Sequence, residues 1–273
     1  MITVNDLSFL YRLPIFEHFN WRVERGETWA ILGPSGCGKS TLLTLLAGLK
    51  LPQGGDIVIG GERICRPRPQ TGLILQDYGL LPWATVRENV ELGLKLRSFY
   101  GADGIHAPRL ESKVLSSPQG AGLSTFKRQS PIGGHKTFES VNRWLERLGL
   151  SPSAAQYPGQ LSGGQRQRTA IARTLVLEPD LLLMDEPFSS LDAPTRESLQ
   201  TLTLELAAEQ GLTLVIVTHA IEEAALLGRR ILLLNEPPNY EANILENPGA
   251  GQPGYREGAE YAALCRELRG RMQ

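Results

Sequence analysis

Nine consecutive residues, Gly33, Pro34, Ser35, Gly36, Cys37, Gly38, Lys39, Ser40 and Thr41, follow the pattern GxxxxGK[ST]. That spacing suits phosphate capture. Glycines let successive backbone N–H groups curl around an anion, Lys39 brings a charge to the β and γ phosphates, and the Ser40 hydroxyl can ligate Mg²⁺. A second stretch, Leu161, Ser162, Gly163, Gly164 and Gln165, runs into Arg166-Gln167-Arg168 and predicts another helix start able to face an anion. Finally, the apolar run Leu181 to Met184 ends in two carboxylates. There Asp185 can hold Mg²⁺ through water, and Glu186 can orient or deprotonate an attacking water.

These residues need elements to hold them. Residues 2 to 9 and 19 to 24 alternate apolar and polar side chains, as half-buried strands do, and Thr28 to Leu32 reads as a buried strand entering the glycine loop. Leu42, Leu43, Leu45, Leu46 and Leu49 then give a helix one apolar face, until Pro52 and Gly54 stop it. Asp56 to Ile59 and Gly72 to Leu75 are further short strands. Leu181 to Met184, Leu212 to Val217 and Ile231 to Leu234 are unbroken apolar runs, the pattern of strands buried on both faces of a parallel sheet. Helices are expected over Gly164 to Glu178 and Pro194 to Gln210. The fold class is therefore α/β.

The middle of the chain differs in composition. From Phe99 to Lys136 it holds six Gly, three Pro and five Ser, with a small excess of Lys and Arg. Such a stretch buries too little apolar surface to offset its ordering entropy, so a flexible, mildly basic loop is expected. Helical spacing resumes with Phe138, Val141, Leu145 and Leu148 before Gly149. Pro237 to Tyr255, rich in Pro, Gly and Asn, should be irregular, and a short amphipathic helix should follow from about Glu257 to Leu268.

Twenty-eight Lys and Arg stand against 29 Asp and Glu, so no global basic field exists to hold a nucleic acid. Three cysteines without a CxxC pair fit a reducing compartment better than a disulfide framework or a zinc site. The first residues, MITVNDLSFLYRLPIF, carry no basic segment leading into an apolar run, and no window approaches the roughly 18 apolar residues of a membrane span. A cytoplasmic location is expected.

The order of these motifs resembles that of the ATP-binding subunits of ABC transporters. GPSGCGKST looks like the Walker A loop, LSGGQ the family signature, LLLMDE the Walker B strand with its catalytic glutamate, and Ser189 to Asp192 the D-loop. Gln76 resembles the Q-loop glutamine, His219 the switch histidine, and Tyr11 the aromatic that stacks on adenine. The resemblance implies a P-loop NTPase (RecA-like) core with a parallel sheet, an N-terminal antiparallel β part and an inserted α-helical subdomain. It places one ATPase domain over 1–236, the helical subdomain at about 77–160, and a tail at 237–273. It implies ATP and Mg²⁺ as ligands, the ion near Ser40, Gln76 and Asp185. Glu186, His219 and Gln76 would act in hydrolysis. Two subunits would pack head to tail, so that ATP on one subunit's Lys39 and Ser40 is covered by Ser162 and Gly164 of the other, with Asp192 nearby.

The wording LLPWATVRENV after Gln76 resembles importer ATPases for nitrate, sulfonates, taurine and thiamine precursors. Integral membrane permease subunits and an extracytoplasmic solute-binding protein are then the implied partners, and the cytoplasmic face of the membrane the implied place. An exposed Tyr78 and Trp83 would serve as the docking surface. Two features depart from those relatives: a longer 99–136 loop, and Ala220 where Asp often follows the histidine. The alternatives are an exporter ATPase and a non-transport ABC ATPase. A chromosome-maintenance or repair ATPase would need a long coiled coil between Lys39 and Ser162, and no sustained heptads occur there.

Overall fold

The computed structural model describes residues 1–100 and 134–272. Alternating side chains at the N-terminus and solid apolar runs later in the chain divide the strands into two sheets. The first is built from β1 (Ile2–Leu10), β2 (Pro14–Val23), β4 (Gly54–Ile59), β5 (Glu62–Arg63) and β10 (Asn239–Glu241), in the order β10-β2-β1-β4-β5. It is antiparallel except where β10 lies parallel to β2. The second contains β3 (Thr28–Leu32), β6 (Thr71–Ile74), β7 (Leu181–Asp185), β8 (Thr213–Thr218), β9 (Arg230–Leu233) and β11 (Asn243–Glu246), ordered β11-β9-β3-β8-β7-β6. β6, β7, β8, β3 and β9 run parallel, and β11 closes the edge antiparallel. The central strands are buried on both faces, as β8 illustrates with every residue inside.

Helix α1 (Lys39–Leu46) joins the sheets. Its Leu42, Leu43, Leu45 and Leu46 share one core with Phe16 and Phe19 of β2, Ile57 and Ile59 of β4, and Leu183 and Val215 of the parallel sheet. Trp21 and Trp29 pack edge to face there, 5.2 Å apart. A second core holds α2 (Val86–Tyr100), α3 (Gly134–Arg147) and α4 (Gly163–Leu175) against the other face of the parallel sheet, through Val86, Val90, Val141, Trp144, Leu145 and Ile171. Helix α5 (Ala193–Gln210) contributes Leu199 and Leu206 to that core. Helices α6 (Ile221–Leu227) and α7 (Ala259–Arg271) form a third cluster with β9 and β11.

Three expectations change. Pro237 to Tyr255 is not irregular throughout, because β10 and β11 extend the two sheets. Their backbone groups find partners more than two hundred residues away on β2 and ten to sixteen residues away on β9, and no local periodicity announces such edge strands. The loop expected over 99–136 is shorter at both ends, with α2 running to Tyr100 and α3 starting at Gly134; its interior, 101–133, lies outside the described residues. Phe138 is exposed, its ring under the Arg87 guanidinium at 5.3 Å, while Val141, Leu145 and Leu148 are buried as their spacing predicted.

Candidate functional site

Parallel order alone brings most of the predicted residues together. The carboxyl ends of β3, β8, β7 and β6 open along one edge of the sheet, and they lead into Gly33–Thr41, His219, Asp185–Glu186 and Gln76 respectively. Ligands of open α/β sheets bind at this edge.

The glycine loop wraps around its own lysine. Lys39 is buried, and its Nζ donates to the carbonyls of Gly33 (2.7 Å) and Pro34 (2.8 Å) and lies 3.9 Å from Cys37 Sγ. Cys37 N donates to Pro34 O, which closes the turn at 3.4 Å. Cys37 is buried and its thiol pKa is raised by that burial. Pro34, Ser35 and Gly36 form the exposed rim, while Ser40 and Thr41 open α1.

Ser40 Oγ donates to Asp185 Oδ1 at 3.2 Å. Desolvation raises the Asp185 pKa, the Ser40 hydrogen bond opposes this, and the neighbouring Glu186 charge adds to it. A hydroxyl and a carboxylate side by side are hard oxygen donors of the kind Mg²⁺ accepts. No cluster of three or more His, Cys, Asp or Glu suited to a metal ion exists among the described residues. Two such side chains could supply only part of a coordination sphere, and Mg²⁺ commonly completes one with substrate phosphates and water.

Glu186 occupies the left-handed region at φ 45°, a conformation uncommon for a side chain of its size. Its N–H donates to Val217 O at 2.9 Å, and its carbonyl accepts from Ser189 Oγ at 3.0 Å. The side chain is thereby turned toward His219, whose Nδ1 stands 3.0 Å from Glu186 Oε2. Sequence reasoning did not find the residues that hold this histidine. Thr218 Oγ1 donates to the buried carboxylate of Glu223, accepts from Ala220 N at 3.0 Å, and so fixes the turn on both sides of His219.

The signature stretch stands apart. Ser162 caps α4, accepting from Gln165 N at 3.2 Å, and Gln165 Oε1 returns the bond from Ser162 N at 2.9 Å. Gln165 Nε2 also reaches Ser153 Oγ at 3.1 Å. Among the described residues no hydrogen bond or ion pair links Leu161–Gln165 to the strand-end cluster. Instead the glycines pack on the Ser189–Asp192 segment and the start of α5: a Cβ on Gly164 would meet Thr195 Cγ2 at 2.6 Å, and one on Gly163 would meet Leu191 at 3.0 Å. Asp192 caps α5 through Thr195 N at 3.1 Å, a bond that holds its carboxyl pKa below the usual range. Tyr11 is exposed and stacks edge to face on Phe9, with Lys50 Nζ 5.0 Å above its ring; Gln76 is exposed at the end of β6.

The expected exposed pair splits. Trp83 is 74% exposed, but Tyr78 is only 6% exposed and belongs to the helical core. Its hydroxyl shares a 2.8 Å hydrogen bond with Ser190 Oγ, and Arg173 of α4 donates to the carbonyls of Tyr78 (2.8 Å) and Gly79 (2.6 Å). Asn89, also missed, is fully buried and bonds to Leu81, Ala84 and Thr85, which fixes the loop that presents Trp83.

A glycine loop, two carboxylates and a histidine gathered on one parallel-sheet edge define a P-loop nucleotide-binding protein. The ABC transporter family model matches residues 16–189. TauB of Escherichia coli O157:H7, a taurine import ATP-binding protein, is 40% identical over 225 residues, covering 82% of this chain and 75% of that protein. SsuB of Bacillus anthracis, an aliphatic sulfonates import ATP-binding protein, is 34% identical over 251 residues, or 90% and 86% of the two chains. The solved dimeric ATP-binding cassette MJ0796, in a post-hydrolysis state with ADP and Pi, has a TM-score of 0.69 at 29% identity, covering 90% of this chain and 98% of that one. The chain belongs to the ABC transporter family, as an ATP-hydrolysing subunit. No helix among the described residues is long and apolar enough to cross a membrane.

Proposed function

We propose that this subunit hydrolyses ATP to energise import of a small solute, such as taurine, another sulfonate, nitrate or a related small organic, through separate membrane permease subunits. The observation that carries the catalytic part is the pairing of Ser40 with Asp185 and of Glu186 with His219 at one sheet edge. The names of the relatives support the solute class.

In this reading Gly33–Thr41 binds the phosphates, Lys39 turns from its loop carbonyls to the β and γ oxygens, and Tyr11 carries the adenine. Ser40, Asp185 and Gln76 hold Mg²⁺, which neutralises phosphate charge when bound. Glu186 accepts the proton of the attacking water, and His219 positions that water and the γ phosphate. Two copies pack head to tail, so that Ser162, Gly163, Gly164 and Gln165 of one cover the nucleotide of the other. The position of the signature stretch away from its own strand-end cluster favours such sharing. Residues 1–236 form the ATPase domain, with helical residues 77–160 inserted, and 237–273 form a tail that adds one strand to each sheet. Trp83, without Tyr78, faces the permease at the cytoplasmic side of the membrane, and an extracytoplasmic binding protein delivers the solute.

The test is Glu186→Gln. The amide fills the same space but cannot accept the water's proton, so ATP binding should persist while turnover falls by about two orders of magnitude or more. Light scattering should show ATP-dependent dimers of that variant. Turnover near that of the wild type would remove Glu186 from catalysis, and a variant that stays monomeric with ATP while wild type dimerises would remove the shared site.

A further inference from the structure

We infer that Asn239, on the edge strand β10, is a positioning residue that aims the phosphate loop from behind. Its side chain is 6% exposed, and its amide is matched on both sides: Nδ2 donates to Cys37 O (3.0 Å) and Ile15 O (3.3 Å), while Oδ1 accepts from Asn235 N (3.0 Å). Two carbonyl acceptors and one N–H donor leave only this orientation of the amide satisfied.

The consequence follows from peptide geometry. In a trans peptide the C=O and the next N–H point in opposite directions. Holding the Cys37 carbonyl back toward Asn239 therefore aims Gly38 N–H the other way, toward the hollow of the loop, and no group among the described residues takes that N–H. Gly38 itself sits at φ +108°, where a Cβ would meet Ile15 Cγ2 at 2.6 Å, so the peptide lies directly against the β2 residue that Asn239 also holds. The same returning chain backs the start of the loop: Leu234 N donates to Leu32 O at 2.9 Å, and a Cβ on Gly33 would meet Leu234 O at 2.4 Å. Residues far beyond the glycine motif thus set the direction of one of its anion-binding groups.

The inference rests on the nucleotide reading of Gly33–Thr41. A second buried amide in the same tail provides the control. Asn247 is 3% exposed and donates to Ala225 O (2.7 Å) and Gly228 O (2.8 Å), with none of its hydrogen bonds reaching the loop. Asn239→Ala and Asn247→Ala in the full chain should lower the melting temperature by similar amounts. Only Asn239→Ala should weaken ATP binding, by about tenfold in Kd by calorimetry or fluorescent-nucleotide titration, the effect of losing one well-placed donor. Turnover at saturating ATP should stay within about twofold, so KM moves and kcat does not. If Asn239→Ala does not accumulate folded, Asn239→Ser is read in the same way, since its hydroxyl cannot serve both carbonyls. Unchanged ATP affinity in the Asn239 variant, or equal weakening in the Asn247 variant, overturns the inference. Lys39→Ala separates the two claims: if it binds ATP as wild type does, the nucleotide reading falls, whereas its failure beside a normal Asn239 variant removes only the role of Asn239.

Discussion

The loop after β3 and the loop after β6 both leave the carboxyl edge of the same parallel sheet, yet they differ in how much of their shape comes from their own residues. Gly33–Thr41 draws its tightest bonds from its own members, Lys39 to Gly33 and Pro34 and Cys37 N to Pro34 O, with Asn239 and Leu234 backing it from outside. Leu75–Thr85 has its own turn bonds, Tyr78 N to Leu75 O and Ala84 N to Leu81 O, but its aromatic side chains are set from outside, by Arg173 on α4, Ser190 beyond β7, and Asn89 on α2. A loop that makes its shape from contiguous residues can be recognised from them. A loop whose shape depends on groups a hundred residues away gives its composition to the reader but not the direction of its side chains.

The sharpest way to break this comparison is at the loop that bonds more to itself. Lys39→Ala removes the charge that the first loop encloses, and no small side chain replaces a charge-assisted contact to phosphate. Turnover should fall by about two orders of magnitude or more, with ATP binding weakened in the same assay. The melting temperature without nucleotide should change little by comparison. ATPase activity close to wild type would show that the loop's shape serves something other than phosphate.

At the other end, the two aromatic residues of the second loop should behave as opposites. Tyr78→Ala empties a core position and leaves Ser190 Oγ without its partner, which should cost about 3 kcal/mol in urea denaturation. Trp83→Ser, at an exposed ring, should change stability by less than about 0.5 kcal/mol. It should nevertheless impair transport in membranes that contain the permease. Equal stability losses for both would mean that Trp83 too is packed, and would move the proposed docking surface elsewhere.

The same contrast explains what was legible. β3, β7, β8 and β9 fell close to their expected places because fully apolar runs need no knowledge of their neighbours, and α4 and α5 carried both period and caps, Ser162 and Asp192. Asp185, Glu186 and His219 could be singled out because each ends or follows such a strand. The tail was misread because β10 and β11 exist through pairing with β2 and β9, and their sequences carry Asn and Glu in place of an apolar alternation. Tyr78 was misplaced for a related reason. A tyrosine in a Gly- and Pro-containing loop is compatible with either face, and here Arg173 and Ser190 decide it. Asn89, Asn239 and Glu223 were invisible because a polar residue near a loop usually faces water, and each of these is buried with its hydrogen bonds met by neighbouring elements.

Glu223 gives the smallest effect, in a third loop that combines both designs. The turn Thr218–Ala220 is bonded locally through Thr218 Oγ1, but the carboxylate that accepts the Thr218 hydrogen bond also accepts from Gln200 Nε2 of α5 at 3.3 Å. Burial raises the Glu223 pKa above its ordinary 4.5, and the hydrogen bonds from Thr218 and Gln200 only partly oppose this. The native state therefore holds the Glu223 carboxyl proton more tightly than the unfolded chain does. Between the ordinary carboxylate value and the raised one the native state binds more protons, so this group's contribution to stability declines as pH rises through that window. Below the window both states are protonated and the contribution is fully present. Glu223→Gln removes the titration while keeping an oxygen for Thr218, and the Gln200 amide can turn to accept from the new NH₂. Urea midpoints of both proteins from about pH 4 to about pH 8, at one ionic strength, should diverge upward in pH in favour of the variant, since titrating groups not coupled to Glu223 cancel in the difference. A difference that stays flat would mean that Glu223 titrates alike in both states and that water reaches it, and a difference of opposite slope would mean that its carboxylate is held by positive charge, with Arg196 and His219 outweighing burial.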